Sequence, residues 1–246
     1  MMKIIDVSRH NGTINWEMVR ADGVEGVILR AGYGRLASQK DSMFEVNYNG
    51  AKAAGLYTGV YFYTYAKSPD EAETEAEVFL EWIKGKSFEL PVYFDIEDAS
   101  ISHLGRNVLT DICIRWCGKV EKAGYYTGIY ANVHWFRNKL DLNRLAPYDK
   151  WLAHWAEAPA FDESFGGMWQ YSSTGKVSGI KGNVDLNRAY RDYPRIIRNA
   201  GLNGLKRASG YSVSAQARVT AETSAQELAG KCRMLGMTAE VKAITE

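Results

Sequence analysis

The stretch Pro91-Val-Tyr-Phe-Asp-Ile-Glu-Asp98 sets three acids at the end of a short apolar run. Val92, Tyr93, Phe94 and Ile96 are β-formers, and such a run suits a strand covered on both faces. Side chains alternate along a strand, so Asp95 and Glu97 fall on one side, their Cα atoms ~6–7 Å apart. Carboxylates held at the end of an apolar strand are costly to ionise, and each raises the other's affinity for a proton. Such a pair supplies one acid and one base near neutral pH, the combination that hydrolysis of a glycosidic bond requires. The plainer alternative is a strand that ends in a polar loop, with Asp98 capping whatever follows.

Two more apolar runs carry an acid. Lys3-Ile-Ile-Asp-Val-Ser8 holds Asp6, and Gly182-Asn-Val-Asp-Leu-Asn187 holds Asp185. Each acid alone reads as readily as a turn or cap residue. If the three runs are neighbours in one sheet, Asp6, Asp95, Glu97 and Asp185 converge on one cleft.

The elements that would position them alternate. Strands are expected at 3–7, 25–31, 57–64, 90–96, 125–131, 150–154, 167–171 and 183–186, and helices at 15–22, 42–54, 69–84, 105–123 and 189–199. This order implies an α/β fold, a mostly parallel sheet with helices outside. Helices are plentiful early and nearly vanish between 150 and 187, which argues against a regular eightfold barrel. Aromatic residues collect near the strand ends: Tyr61, Tyr63, Tyr130, Trp151, Trp155, Trp169 and Tyr171. Sugar sites present such rings to the apolar face of a sugar, and about half of these seven are expected to do so, the others filling the core. Arg30 is a candidate partner for a site carboxylate, with a surface ion pair as the alternative.

Several pieces, in order, carry a resemblance. They are Ile4-Ile-Asp-Val-Ser8, Gly26-Val-Ile-Leu-Arg-Ala-Gly32, Asn47-Tyr-Asn-Gly-Ala-Lys-Ala-Ala-Gly55 and Gly59-Val-Tyr-Phe-Tyr63. They continue with Tyr93-Phe-Asp-Ile-Glu97, Gly128-Ile-Tyr-Ala-Asn132, Trp151-Leu-Ala-His-Trp155, Met168-Trp-Gln-Tyr-Ser172 and Val184-Asp-Leu-Asn187. Over residues 3–199 the chain resembles the glycoside hydrolase family 25 lysozymes, the Chalaropsis-type muramidases of bacteria and their phages. The resemblance implies an irregular TIM-like β/α barrel with its last helices missing. It also implies cleavage of the β-1,4 bond between N-acetylmuramic acid and N-acetylglucosamine in peptidoglycan, with Glu97 as the residue matching the general acid. Asp95 and Asp185 are then candidates to activate water or stabilise the transition state, with Asp6 holding the network. Retention, inversion and assistance by the substrate's N-acetyl group all stay open. A wall-binding module that kept the fold without the chemistry is the competing function, and retention of all four acids argues for the enzyme. A chitinase-type barrel would place further acids where Val92 and Tyr93 stand.

Composition agrees. The 246 residues are 46% hydrophobic with a net charge of +1, enough for a sizeable core and no reason to expect nucleic acid as a partner. No apolar run is long enough to span a membrane. The first strand begins almost at Met1 and leaves no room for a signal peptide, so the expected setting is a protein secreted with its leader removed or a phage endolysin acting on the cell wall. Cys113 and Cys117 share a helix face and read as buried free thiols. The histidines show no ligand spacing, so no metal or cofactor is expected.

Residues 1–200 thus form the expected catalytic barrel. Gly201 to Gly210 reads as a linker, and 211–246 as a small C-terminal β-α-β unit. That unit loosely resembles half of a SPOR-type glycan-binding domain and would serve wall binding or self-association.

Overall fold

The computed structural model describes residues 1–162 and 164–207. Eight strands form a closed barrel in sequence order. They are β1 (Met2–Val7), β2 (Gly26–Tyr33), β3 (Tyr57–Tyr63), β4 (Val92–Asp95), β5 (Thr127–Asn132), β6 (Asp149–Ala153), β7 (Met168–Gly175) and β8 (Val184–Ala189). The helices are α1 (Trp16–Ala21), α2 (Phe44–Ala53), α3 (Pro69–Ile83), α4 (Arg106–Lys122), α5 (Val133–Asn138) and α6 (Tyr193–Ala200). All eight expected strands and all five expected helices are present, with ends shifted by a few residues. The short α5 is the addition.

Period-two alternation divides the core into two layers. Ile4, Ile28, Tyr93, Trp151, Met168 and Ala189 fill the barrel interior, while Ile5, Val27, Val60, Phe62, Phe94 and Leu152 face outward under the helices. Room inside is set by glycine. A Cβ on Gly128 would lie 2.5 Å from the Tyr93 ring, and one on Gly59 2.5 Å from Ile28. Outside, Phe94 stacks on Trp116 of α4 at 4.8 Å, and Trp116 lies 5.1 Å from Phe79 of α3. Anchoring Phe94 outward in this way turns its neighbour Asp95 inward.

The last third departs from the repeating β/α pattern. β7 and β8 pair as an antiparallel hairpin, and β8 closes the barrel antiparallel to β1. A hairpin needs no crossover helix, so none stands between β7 and β8, while the parallel β6–β7 connection lacks one as well among the described residues. Among the described residues no helix falls between α5 and α6. α6 covers the end of the barrel where β1 starts: Tyr193 and Ile197 join the interior cluster, and the Tyr193 hydroxyl donates to Asp149. Arg191 pairs with the same carboxylate at 3.1 Å.

The expected linker at 201–210 is corrected in its first part. Asn203 is fully buried; its side-chain amide donates to the Leu90 carbonyl at 2.9 Å and accepts from the Tyr126 amide at 2.6 Å. Its backbone bonds Gly124 and Phe88. Residues 201–207 are therefore part of the barrel, because one buried asparagine satisfies backbone groups on two loops. The β-α-β unit expected at 211–246, and its role in association, lie outside the described residues. Cys113 and Cys117 are buried and free. No helix among the described residues is long and apolar enough to cross a membrane.

Candidate active site

Asp6, Asp95 and Asp185 line one cleft of about 120 Å³, together with Tyr61, Tyr130, Trp151, Trp155 and Gln170. Asp6 lies near the end of β1 and Asp95 ends β4, so both sit at the carboxyl end of the parallel strands. Asp185 lies at the start of β8, but β8 runs backwards, and its register sets Asp185 directly opposite Asp6. The carboxyl ends of β/α barrel strands are where such folds place their chemistry.

Burial holds every one of these carboxyls above the usual carboxylate range. For Asp6 the largest cause is desolvation, followed by the charge of Asp185; two amide hydrogen bonds oppose it. For Asp95 it is again desolvation, then the charges of Glu97 and Asp6. One oxygen of Asp95 is buried without a hydrogen-bond partner, and a backbone hydrogen bond from Glu97 and the charge of Arg30 offset only part of the cost of its charge. The Asp185 carboxyl is raised by burial and shares a hydrogen bond with Asp6. The site therefore gives up its protons at higher pH than isolated carboxyls would.

Glu97 stands just outside the cleft lining, two residues beyond Asp95 and electrostatically linked to it. Its Oε2 accepts the Asn132 backbone N–H at 2.8 Å, and burial raises its pKa. Asn132 also caps α5, its side chain accepting from the Trp135 amide at 3.1 Å. The short helix that sequence reasoning missed is thus the element that fixes Glu97.

The structure sorts the other expected residues. Tyr61, Tyr130 and Trp151 pack as a cluster of edge contacts, with Trp151 centroids 6.1 Å from Tyr61 and 4.5 Å from Tyr130. Trp155 is 62% exposed above them. Tyr63 stands at the rim, its hydroxyl donating to Asp98 at 2.8 Å. Trp169 and Tyr171 are not in the cleft. They fall on the odd positions of β7, pack against the outer core, and Arg188 covers the Tyr171 ring at 4.7 Å. Nearness to a strand end suggested them, but parity decides. Arg30 is also corrected: its Nε pairs with Asp41 at 2.7 Å, not with a cleft carboxylate. Its charge still acts on Asp95 in the lowering direction.

Two site residues were not anticipated. Gln170 and Asn187 are buried, and both donate to the same oxygen of Asp6, at 2.9 and 2.8 Å. The signal was available, because Asn187 shares parity with Asp185, and Gln170 is a polar residue at an inward position between apolar neighbours. A second hollow, about 430 Å³, lies beside Tyr65 and is lined by Arg35, Lys67, Glu71 and Glu75 among others.

A closed β/α barrel with buried acids at the carboxyl ends of its strands and rings around them has the makings of a glycoside hydrolase. The family model "Glycosyl hydrolases family 25" matches residues 5–180, and the chain belongs to that family. It is 30% identical over 190 residues to the autolytic lysozyme of Clostridium acetobutylicum, covering 76% of this chain and 55% of that protein. The chain thus spans about half the length of that curated relative. Among solved structures, the bacterial lysozyme from Streptomyces coelicolor aligns with a TM-score of 0.71 at 27% identity, covering 83% of this chain and 98% of that one. The modular autolysin LytC from Streptococcus pneumoniae, solved with a synthetic peptidoglycan ligand, aligns with a TM-score of 0.68 at 28% identity, over 76% of this chain and 46% of that one.

Proposed function

We propose that this protein is a muramidase, a hydrolase of the β-1,4 bond between N-acetylmuramic acid and N-acetylglucosamine in bacterial peptidoglycan. The carrying observation is the convergence of Asp6, Asp95 and Asp185 in one aromatic-lined cleft, with Glu97 beside Asp95. Family membership and the lysozymes and autolysins it resembles support the substrate. Glu97 is assigned as general acid. Its Oε2 is committed as an acceptor to Asn132, so its proton resides on the other oxygen, free to pass to the leaving glycosidic oxygen. Asp95 and Asp185 are assigned to activating water or stabilising the oxocarbenium-like state, and Asp6 to holding the pair. Tyr61, Tyr130, Trp151 and Trp155 are the assigned sugar contacts, with Tyr63 at the rim. The glycan strands of the cell wall are the partner, and the wall is the place of action. Purified cell walls should lose turbidity with the intact protein. Walls that stay turbid at any pH between about 4 and 8 would favour the inactive binding module.

Residues 211–246 are assigned to targeting or association. Every acid named above precedes Gly201. A chain ended after Arg207 should cleave soluble glycan fragments at close to the full rate and lose activity mainly on intact walls, where a second contact raises effective concentration. Equal losses on both substrates would contradict the assignment.

A further inference from the structure

The hydrogen bonds around Asp6 fix more than its position. Indole N–H groups donate and cannot accept, so an amide oxygen facing one has its orientation determined. The Trp151 indole donates to the Asn187 side-chain oxygen at 2.7 Å, and the Trp155 indole donates to the Gln170 side-chain oxygen at 3.0 Å. Both amides must then turn their NH2 groups the other way. Both NH2 groups meet at the single oxygen Asp6 Oδ2. With two donors on it, Oδ2 is an acceptor, and any proton shared between Asp6 and Asp185 lies on the far side, at Asp6 Oδ1 or on Asp185.

The two arms differ in one respect. Trp151 and Asn187 are buried, so that arm is locked by packing. Gln170 has one other contact besides Trp155 on its oxygen, the Tyr130 hydroxyl at 3.0 Å. A hydroxyl donates or accepts equally well, so Tyr130 tolerates the flipped amide. Of the two groups on the Gln170 oxygen, only the Trp155 indole is bound to that orientation, and Trp155 is 62% exposed in the cleft.

We propose that Trp155 is a positioning residue for Asp6: its indole N–H holds the Gln170 amide so that it donates to Asp6 Oδ2, and a glycan lying on the exposed ring is thereby linked to the proton held by the Asp6–Asp185 pair. Without the indole N–H, the Gln170 oxygen keeps only the Tyr130 hydroxyl, so the amide is held less firmly and its donation to Asp6 Oδ2 weakens. The other groups facing Asp6 are Asp185 from β8, Asp95 from β4, Tyr61 from β3 and Tyr130 from β5, with Arg30 of β2 behind Tyr61 and Asp95. None of them contacts the Gln170 oxygen except Tyr130. The proposal rests on the muramidase reading only for its consequence in catalysis; the hydrogen-bond lock stands apart from it.

The test reads the Asp6 carboxyl directly, by 13C titration of the full chain, with Asp6→Asn to assign the signal. Trp155→Phe keeps a ring for the sugar and removes the donor. 3-Benzothienylalanine at position 155 keeps the shape of tryptophan as well, with sulfur in place of N–H. Both replacements should move the Asp6 midpoint to higher pH. In a Gln170→Met background, whose fold is checked by near-UV circular dichroism, Trp155→Phe should add nothing, because its effect passes through the amide. On glycan substrate, kcat on the acid side should fall by roughly 10-fold or more, the usual scale of a lost hydrogen bond to a charged group, with KM little changed. An unmoved Asp6 midpoint in both position-155 variants would overturn the proposal. So would a shift that persists undiminished beside Gln170→Met. If the wild-type protein cleaved no wall at all, the muramidase reading would fail while the titration stayed decisive for the lock.

Discussion

Asp6 and Asp185 sit directly opposite each other across the antiparallel pairing of β1 and β8. One acid belongs to the first strand and the other to the last, so the pair exists only when the barrel has closed. Closing the fold and assembling the cleft are one event. Like charges set opposite in a sheet oppose its formation, and here the cost is relieved by a shared proton and by the two amides on Asp6.

Stability and chemistry should conflict most openly at Asp95. Its carboxyl is raised above its ordinary range by burial, so the unfolded chain gives up this proton first as pH rises. Stability is therefore lost on going from acid toward neutral pH. Asp95→Asn should raise the melting temperature, by a margin that grows above about pH 4, while wall hydrolysis falls. A variant less stable than the wild type at pH 7 would show that Asp95 is not strained by its charge.

Glu97→Gln should lower turnover by at least ~100-fold, the usual scale for a lost general acid. Its melting temperature should change little, because the Asn132 N–H can still be accepted by the amide oxygen. Near-normal lysis would remove Glu97 from the acid role.

Much of this was legible in the sequence. The eight strands follow from short apolar runs, and the four acids from their places at the ends of those runs. What stayed hidden depends on closure. Nothing in Gly182-Asn-Val-Asp-Leu-Asn187 says that its strand runs backwards, yet that reversal brings Asp185 to the same end as Asp6. Trp169 and Tyr171 share their strand with Gln170, and only counting parity from the interior Met168 separates the outward rings from the inward amide. Arg30 shares the parity of the interior Ile28, but its partner Asp41 comes from a loop that strand patterns do not describe.

Asn203 gives a prediction for the barrel's other end. It is fully buried, has a φ of 55°, and satisfies groups on the loops before β4 and β5. Asn203→Ala should destabilise the fold by about 2–4 kcal/mol, since it strands buried backbone partners and places alanine in a left-handed conformation. Denaturant unfolding measures this. A change under about 0.5 kcal/mol, the range of an ordinary surface substitution, would mean that residues 201–207 are the linker their composition suggests.

Glu75 of α3 is a buried acid away from the cleft, held by Thr64 and by the Tyr65 amide at 3.0 Å. Burial pushes its carboxyl up to about 7. Between its ordinary value and that figure the unfolded chain ionises while the folded one does not, so stability falls as pH rises through this window. Glu75→Gln should remove most of that loss, worth roughly 2–3 kcal/mol at pH 8. Parallel stability–pH curves for the two proteins would contradict it.

The central claim, cleavage on the muramic acid side, is tested most directly by the new reducing ends. Purified peptidoglycan digested with the protein, reduced with borohydride and hydrolysed, should yield muramitol as the new product, released in step with turbidity loss and absent with Glu97→Gln. Glucosaminitol in its place would make the protein a glucosaminidase, and no new reducing ends at all would contradict glycoside hydrolysis altogether.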